Sequence, residues 1–170
     1  LSKPRYMMNH KNLKFLFGPQ YALLEKNYER LQQKVQIRKN IKKILVFFGG
    51  VDLEDHTSIT LEILQNTDLK DIFIDVVLGK NYTNKSKILE NYSSINNIKI
   101  HYDIPSLSNL ILNADLAIGA AGTHSWERVA LGLPSIIIPI ANNQVDLANY
   151  LAEIKVSKLV KNGRFIRENI

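Results

Sequence analysis

The chain has 170 residues, of which 45% are hydrophobic and 22% charged, and a formal net charge of +6. That length suits one domain whose core buries roughly 70% of the surface exposed by the unfolded chain, and the absence of cysteine excludes disulfides, thiolate metal sites and thiol catalysis. No apolar run approaches the ~18–20 residues of a membrane helix, no secretory pattern opens the chain, and the basic residues lack the interleaved aromatics of a nucleic-acid platform. These features point to a cytoplasmic protein with neither a membrane span nor a nucleic-acid partner.

Residues 1–14 are polar and basic without a clear period and read as a linker or the end of a preceding domain. Over residues 15–36, Tyr21, Leu24, Tyr28 and Leu31 recur at helical spacings, and Pro19 suits a first turn. A β/α rhythm follows. Ile44 to Phe48 is a continuous apolar run, as expected of a strand buried on both faces, and it stops at Gly49-Gly50. A helix is expected over 55–67, a strand from Ile72 to Leu78, and a helix over 83–93. A short strand is expected from Ile98 to His101, then a turn through Pro105 and a helix to Asn113. Leu116 to Gly119 reads as the fourth strand, 123–131 as a helix stopped by Gly132 and Pro134, and Ser135 to Ile140 as the fifth strand. A helix over 144–153 and a strand from Val156 to Val160 complete the pattern. Arg164 to Ile170 reads as an unfinished helix, and the chain opens on Leu1, so a piece of a longer protein is expected.

Strands alternating with helices predict an α/β fold: a Rossmann-like open parallel sheet with helices on both faces. Such sheets bind ligands outside the carboxyl ends of their strands, where strand order reverses. The loops after the strands are therefore where chemistry is expected.

Gly119-Ala120-Ala121-Gly122-Thr123 leaves a strand through small residues and enters a helix. Small residues let the backbone approach a ligand, and a helix start favours phosphate. Thr123 can cap the helix or contact a phosphate oxygen. Glu127, one turn on, can accept ribose hydroxyls or simply complement the helix dipole. Gly49-Gly50-Val51-Asp52 is neither a Walker A loop nor a GxGxxG fingerprint, and the second strand lacks the terminal acid of an NAD site. Asp52 either orients a substrate hydroxyl or caps the next helix. Asn142-Asn143-Gln144 offers amides suited to sugar hydroxyls, or caps a helix. Among the histidines, His10, His56, His101 and His124, no metal-ligand spacing occurs; His124 can contact ligand and His101 reads as structural. No metal site and no cofactor are expected. Trp126, Val129, Ala130 and Leu133 read as core.

The stretch from Ala114 to Arg128, with Leu131-Gly132-Leu133-Pro134 and Asn143-Gln144, resembles the nucleotide-binding half of GT-B-type proteins. Within them it is similar to the UDP-sugar hydrolases of pseudaminic acid biosynthesis, which act on UDP-2,4-diacetamido-2,4,6-trideoxy-β-L-altropyranose and are related to the N-acetylglucosamine transferase acting on lipid I. Phe17 to Leu24 and Phe48 to Asp52 share the likeness, which runs over about residues 15–160.

The resemblance implies a UDP-binding domain over 15–170, cut short at its C-terminus. Gly122 and Thr123 would hold the diphosphate and Glu127 the ribose. The loop after Tyr102 would border the uracil, with Tyr102 itself counted among the UDP contacts. Gly49, Gly50 and Asp52 would line the cleft, Asp52 toward the sugar. His124, Asn143 and Gln144 would face the sugar. Val51 stands where a hydroxyl residue is common, and Ala121 where a glycine is common. The catalytic base would belong to an N-terminal domain of the same protein. The implied activity is release of UDP and free sugar from a UDP-sugar. A glycosyltransferase half or a non-catalytic nucleotide-binding module are the alternatives.

Overall fold

A computed structural model describes residues 16, 18–67, 69 and 71–160. The linker expected over 1–14, His10 and the helix expected from Arg164 lie outside the described residues.

Six parallel strands form one sheet in the order β3-β2-β1-β4-β5-β6. They are β1 (Lys43–Phe47), β2 (Phe73–Leu78), β3 (Ile98–Tyr102), β4 (Leu116–Ala120), β5 (Ser135–Ile138) and β6 (Ser157–Leu159). Among the described residues the α-helices are α1 (Asn27–Gln32), α2 (His56–Gln65), α3 (Lys85–Tyr92), α4 (Ser108–Asn113), α5 (His124–Ala130) and α6 (Val145–Glu153). Strand order reverses between β1 and β4, which pair in register from Ile44 with Leu116 to Phe47 with Gly119. This is the doubly wound arrangement the β/α rhythm predicts.

The apolar runs are continuous because both faces of the sheet are covered. Ile44, Val46, Ile74, Val76, Leu78 and Ile118 pack with Leu61 and Leu64 of α2 and Ile88 of α3. Alternate residues Leu45, Val77 and Ala117 face the other way, with Tyr28 and Leu31 of α1 and Ile111 of α4. Ile137 continues that second face with Ala148 and Leu151 of α6. Each fully buried aliphatic side chain contributes about 1.5–3 kcal/mol relative to exposure, so the central strands β1 and β4 anchor the loops that leave them.

Most expected boundaries shift by one or two residues. The larger difference is the first helix. Pro19 does start a turn, but it is a 3-10 turn over Pro19–Tyr21, after which Ala22 is extended at ψ 130°. The helix proper is only Asn27–Gln32. Tyr28 and Leu31 keep the expected stripe, whereas Tyr21 is exposed. The expected core face of the helix over 123–131 also divides. Trp126 and Val129 pack toward α6, Ala130 packs toward α1 and α4, and Leu133 is buried there after the helix has ended. Among the described residues, no helix is long and apolar enough to cross a membrane.

Candidate functional site: a cleft at the strand-order reversal

A cleft of about 250 Å³ opens at the carboxyl ends of β1, β2 and β3, beside the start of α5. Phe47, Val77, Leu78 and Leu107 supply apolar lining, with Ile104 and Pro105 from the loop after β3. Gly50, Gly79 and Lys80 form one rim. Glu25, Asp103, Ser106, His124 and Glu127 are the other polar groups. Both the +6 charge and a phosphate ligand would suit a basic cleft, yet Lys80 and His124 here share it with three carboxylates.

Two loops meet at the rim. Gly49 lies at φ +97°, which favours glycine. A Cβ on Gly79 would stand 2.5 Å from both Gly49 O and Gly50 Cα. The Asn81 N–H also donates to Gly50 O at 3.2 Å. The glycines at these two strand ends therefore permit close backbone packing that any side chain on Gly79 would block.

Asp52 follows in the same loop but is buried, and the cleft is not lined by it. Its Oδ1 accepts the His56 N–H at 3.0 Å. Its Oδ2 accepts the Thr57 N–H and hydroxyl, both at 2.8 Å. Burial would raise the carboxyl, but these bonds and the His56 ring outweigh it and hold Asp52 below the usual carboxylate range. Asp52 thus performs the capping alternative that the sequence left open. Asp55, in the left-handed region at φ 56°, occupies the N-cap position, accepts the Ser58 N–H and is hydrogen-bonded by the Tyr82 hydroxyl.

Glu127 lies in the first turn of α5 and faces the cleft. The Tyr28 hydroxyl donates to its Oε2 at 2.7 Å, and His124 Nδ1 lies 2.9 Å from Oε1. Partial burial would raise its carboxyl; hydrogen bonds from His124 and Tyr28 more than offset this and keep it below the ordinary range. The His124 ring is braced edge-on by Phe47, with centroids 5.0 Å apart. Gly122 and Thr123 precede this turn. Thr123 occupies the N-cap position, but its side chain makes no capping bond and is exposed. Ala121 is fully buried, so a methyl group fits where the resemblance favours glycine.

Two expected contacts stand apart from the cleft. Tyr102 turns outward: its ring lies under Lys85 Nζ at 3.2 Å and its hydroxyl donates to Lys80 O at 3.1 Å. It ties β3 to the rim, while the residues after it line the cleft. Asn142–Gln144 form a 3-10 turn in which Gln144 Oε1 accepts the Ile140 N–H at 3.1 Å. A Cβ on Gly122 would lie 3.9 Å from Gln144 Nε2, so this turn adjoins the Gly122 loop. Asn143 is exposed in the same turn.

Three further groups at the site were given no role by the sequence, although Arg128 closes the Ala114 to Arg128 stretch that carries the resemblance. Tyr28 carries only an apolar stripe signal. Glu25 carries none, and reaches the cleft by accepting the Ser106 hydroxyl at 3.2 Å. Arg128 is buried beneath the loop, donating from Nη2 to Ala120 O at 2.7 Å and Ser125 Oγ at 2.9 Å. Burial pushes its guanidinium down to about 10. Elsewhere, His101 is paired with Asp75 at 2.7 Å, a structural role as expected. No group of three potential metal-ligating side chains occurs among the described residues.

This chain is similar to several known proteins. An uncharacterized protein of Methanocaldococcus jannaschii is 29% identical, over 98% of this chain and 36% of that protein. The spore coat polysaccharide biosynthesis protein SpsG of Bacillus subtilis is 23% identical, over 84% of this chain and 42% of its own length. The crystal structure of MurG from Acinetobacter baumannii superposes with a TM-score of 0.58 at 18% identity, over 84% of this chain and 43% of that one, a likeness of fold. The chain therefore spans less than half the length of each of these proteins. Residues 43–168 match the glycosyltransferase family 28 C-terminal domain, a span that takes in all six strands and α5. The chain belongs to that family, the nucleotide-sugar-binding C-terminal half of GT-B proteins.

Proposed function

We propose that this domain grips the UDP portion of a UDP-sugar, within a two-domain hydrolase that releases UDP and a free diacetamido-trideoxy sugar for nonulosonic (pseudaminic) acid and surface polysaccharide synthesis. The observation that carries the reading is the cleft itself. It lies where doubly wound sheets take nucleotides, and one wall carries an ionised, doubly hydrogen-bonded Glu127. Uracil enters against Phe47, Val77, Leu107 and the loop after Tyr102. Glu127 accepts the ribose hydroxyls. The diphosphate passes the Gly49-Gly50 rim toward Gly122 and Thr123. His124, Asn143 and Gln144 border the sugar, and Asp52 serves by holding its loop in shape. SpsG, named for polysaccharide biosynthesis, supports the pathway class.

General-base catalysis requires a base within ~3 Å of the attacking water. Asp52 is buried under α2, and Glu127 is committed to the ribose. In this reading the base is supplied by the N-terminal half of the protein. The family's own name, a glycosyltransferase, supports a second reading in which the same grip serves sugar transfer to an acceptor. Calorimetric titration with UDP, UMP and NAD tests the common core of both. UDP binds best, NAD does not bind, and the isolated chain turns over no UDP-sugar. Preference for NAD contradicts the nucleotide assignment, and turnover contradicts the division of labour.

A further inference from the structure

We infer that Tyr28 is a positioning residue that locks Glu127 as a reader of vicinal ribose hydroxyls, so that the cleft selects ribonucleotides over 2′-deoxyribonucleotides. This rests on the nucleotide reading above and adds to it a residue that lies before the segment matching the family domain.

The placement of Tyr28 is fixed from several directions. Its ring is 2% exposed and packs in the second-face cluster with Leu107, Ile111 and Leu131. One residue before it, Asn27 Nδ2 donates to Ser108 Oγ of α4 at 3.0 Å. At the other end of α1, Gln32 Nε2 donates to Ala130 O of α5 at 3.1 Å. The short helix is thus pinned to both neighbours, and the phenol reaches Glu127 Oε2 as a defined 2.7 Å bond. Burial, reinforced by Glu127, pushes the phenol far above its ordinary range, so it remains a donor across all physiological pH.

His124 alone does not fix the carboxylate. It lies three residues away on the same short helix, and its side chain is 43% exposed. Tyr28 supplies the constraint from a different element. An ionised carboxylate oxygen has two lone-pair directions. With Tyr28 on Oε2 and His124 on Oε1, each oxygen keeps one. Glu127 lines the cleft, so in this inference its two remaining acceptor positions pair with neighbouring 2′ and 3′ hydroxyls. A deoxyribose leaves one acceptor of a partly buried carboxylate without a donor, which is costly.

The test titrates the full chain with UDP and with 2′-deoxy-UDP, comparing wild type, Tyr28→Phe and Glu127→Gln, with thermal melts to verify folding. Wild type should prefer UDP by about tenfold or more, the value of one hydrogen bond to a charged group. Tyr28→Phe, which keeps the buried ring, should lose most of that preference, weakening UDP several-fold more than 2′-deoxy-UDP, which meets Glu127 through its 3′ hydroxyl alone. Glu127→Gln should lose the same preference, and the double variant should lose no more than either. A Tyr28→Phe protein that keeps the wild-type ratio, or that weakens both nucleotides equally, overturns the positioning role. A wild-type chain that binds neither nucleotide, or a Glu127→Gln protein that keeps the ratio, overturns the reading of the cleft and this inference with it.

Discussion

Asp52 and Glu127 are both acids beside glycine-containing loops, yet their environments divide their tasks. Asp52 gives both oxygens to α2, accepting two main-chain N–H groups and one hydroxyl. Its folded-state carboxyl is depressed, so its stabilisation is present above the unfolded value of about 3.9 and is lost as pH falls through the depressed folded value. Asp52→Ala should therefore cost about 2–3 kcal/mol near neutral pH, the scale of charge-assisted capping bonds. The deficit should shrink below about pH 3. Urea melts of both proteins across that pH range check this, and a deficit independent of pH contradicts it. From sequence, Asp52 stood equally well as a cap or a ligand, because the two roles use the same residue at the same spacing. Burial separates them: Asp52 is 4% exposed and bonded to His56, whose ring stacks on Phe48 with centroids 5.5 Å apart. Glu127 was read as a candidate from its place one turn into a helix after small residues, and it lines the cleft. Its tyrosine partner, 99 positions away in sequence, was not.

The elements show the same division between local and distant causes. Strands β1, β2, β4 and β5 were legible as apolar runs that report burial on both faces, and β3 and β6, which are polar at alternate positions, as the short segments that complete the rhythm. The first helix was overextended, because a stripe of Tyr21, Leu24, Tyr28 and Leu31 does not reveal the extended backbone at Ala22 that divides it. In the basic stretch Arg38-Lys39-Asn40-Ile41-Lys42-Lys43 before β1, Arg38 is turned onto helix ends. Its Nε donates to Ala114 O at 2.7 Å, and Nη1 donates to Leu131 O and Gly132 O at 3.2 and 3.0 Å. Nη2 also reaches Ile111 O at 3.3 Å. One guanidinium therefore satisfies terminal carbonyls of both α4 and α5, which their own helices leave open. Arg38→Met should lower stability by about 2–3 kcal/mol, and Arg38→Lys should recover little of it, because an ammonium lacks the planar fork. Denaturant midpoints for the three proteins measure this. An Arg38→Lys protein as stable as wild type contradicts the double-cap account.

At the scale of the whole molecule, the sheet brings the loops after β1, β2 and β3 to one cleft beside α5, and leaves the net positive charge largely elsewhere. The fold class was readable from the β/α rhythm, and loops expected after the strands border the cleft, whereas the strand order comes from the structure. The walls contributed by Glu25 and Tyr28 were not readable, because they come from a segment joined to the site only by tertiary packing. This cleft should hold a uridine nucleotide. The most direct test is amide chemical-shift mapping of the isotopically labelled chain during titration with UDP. The account predicts shifts concentrated at Gly49 and Gly50, at Gly79 and Lys80, over residues 103–107 and over residues 122–127. Absence of shifts at saturating UDP, or shifts centred on the opposite end of the sheet around Asn66 and Asn97, would contradict it.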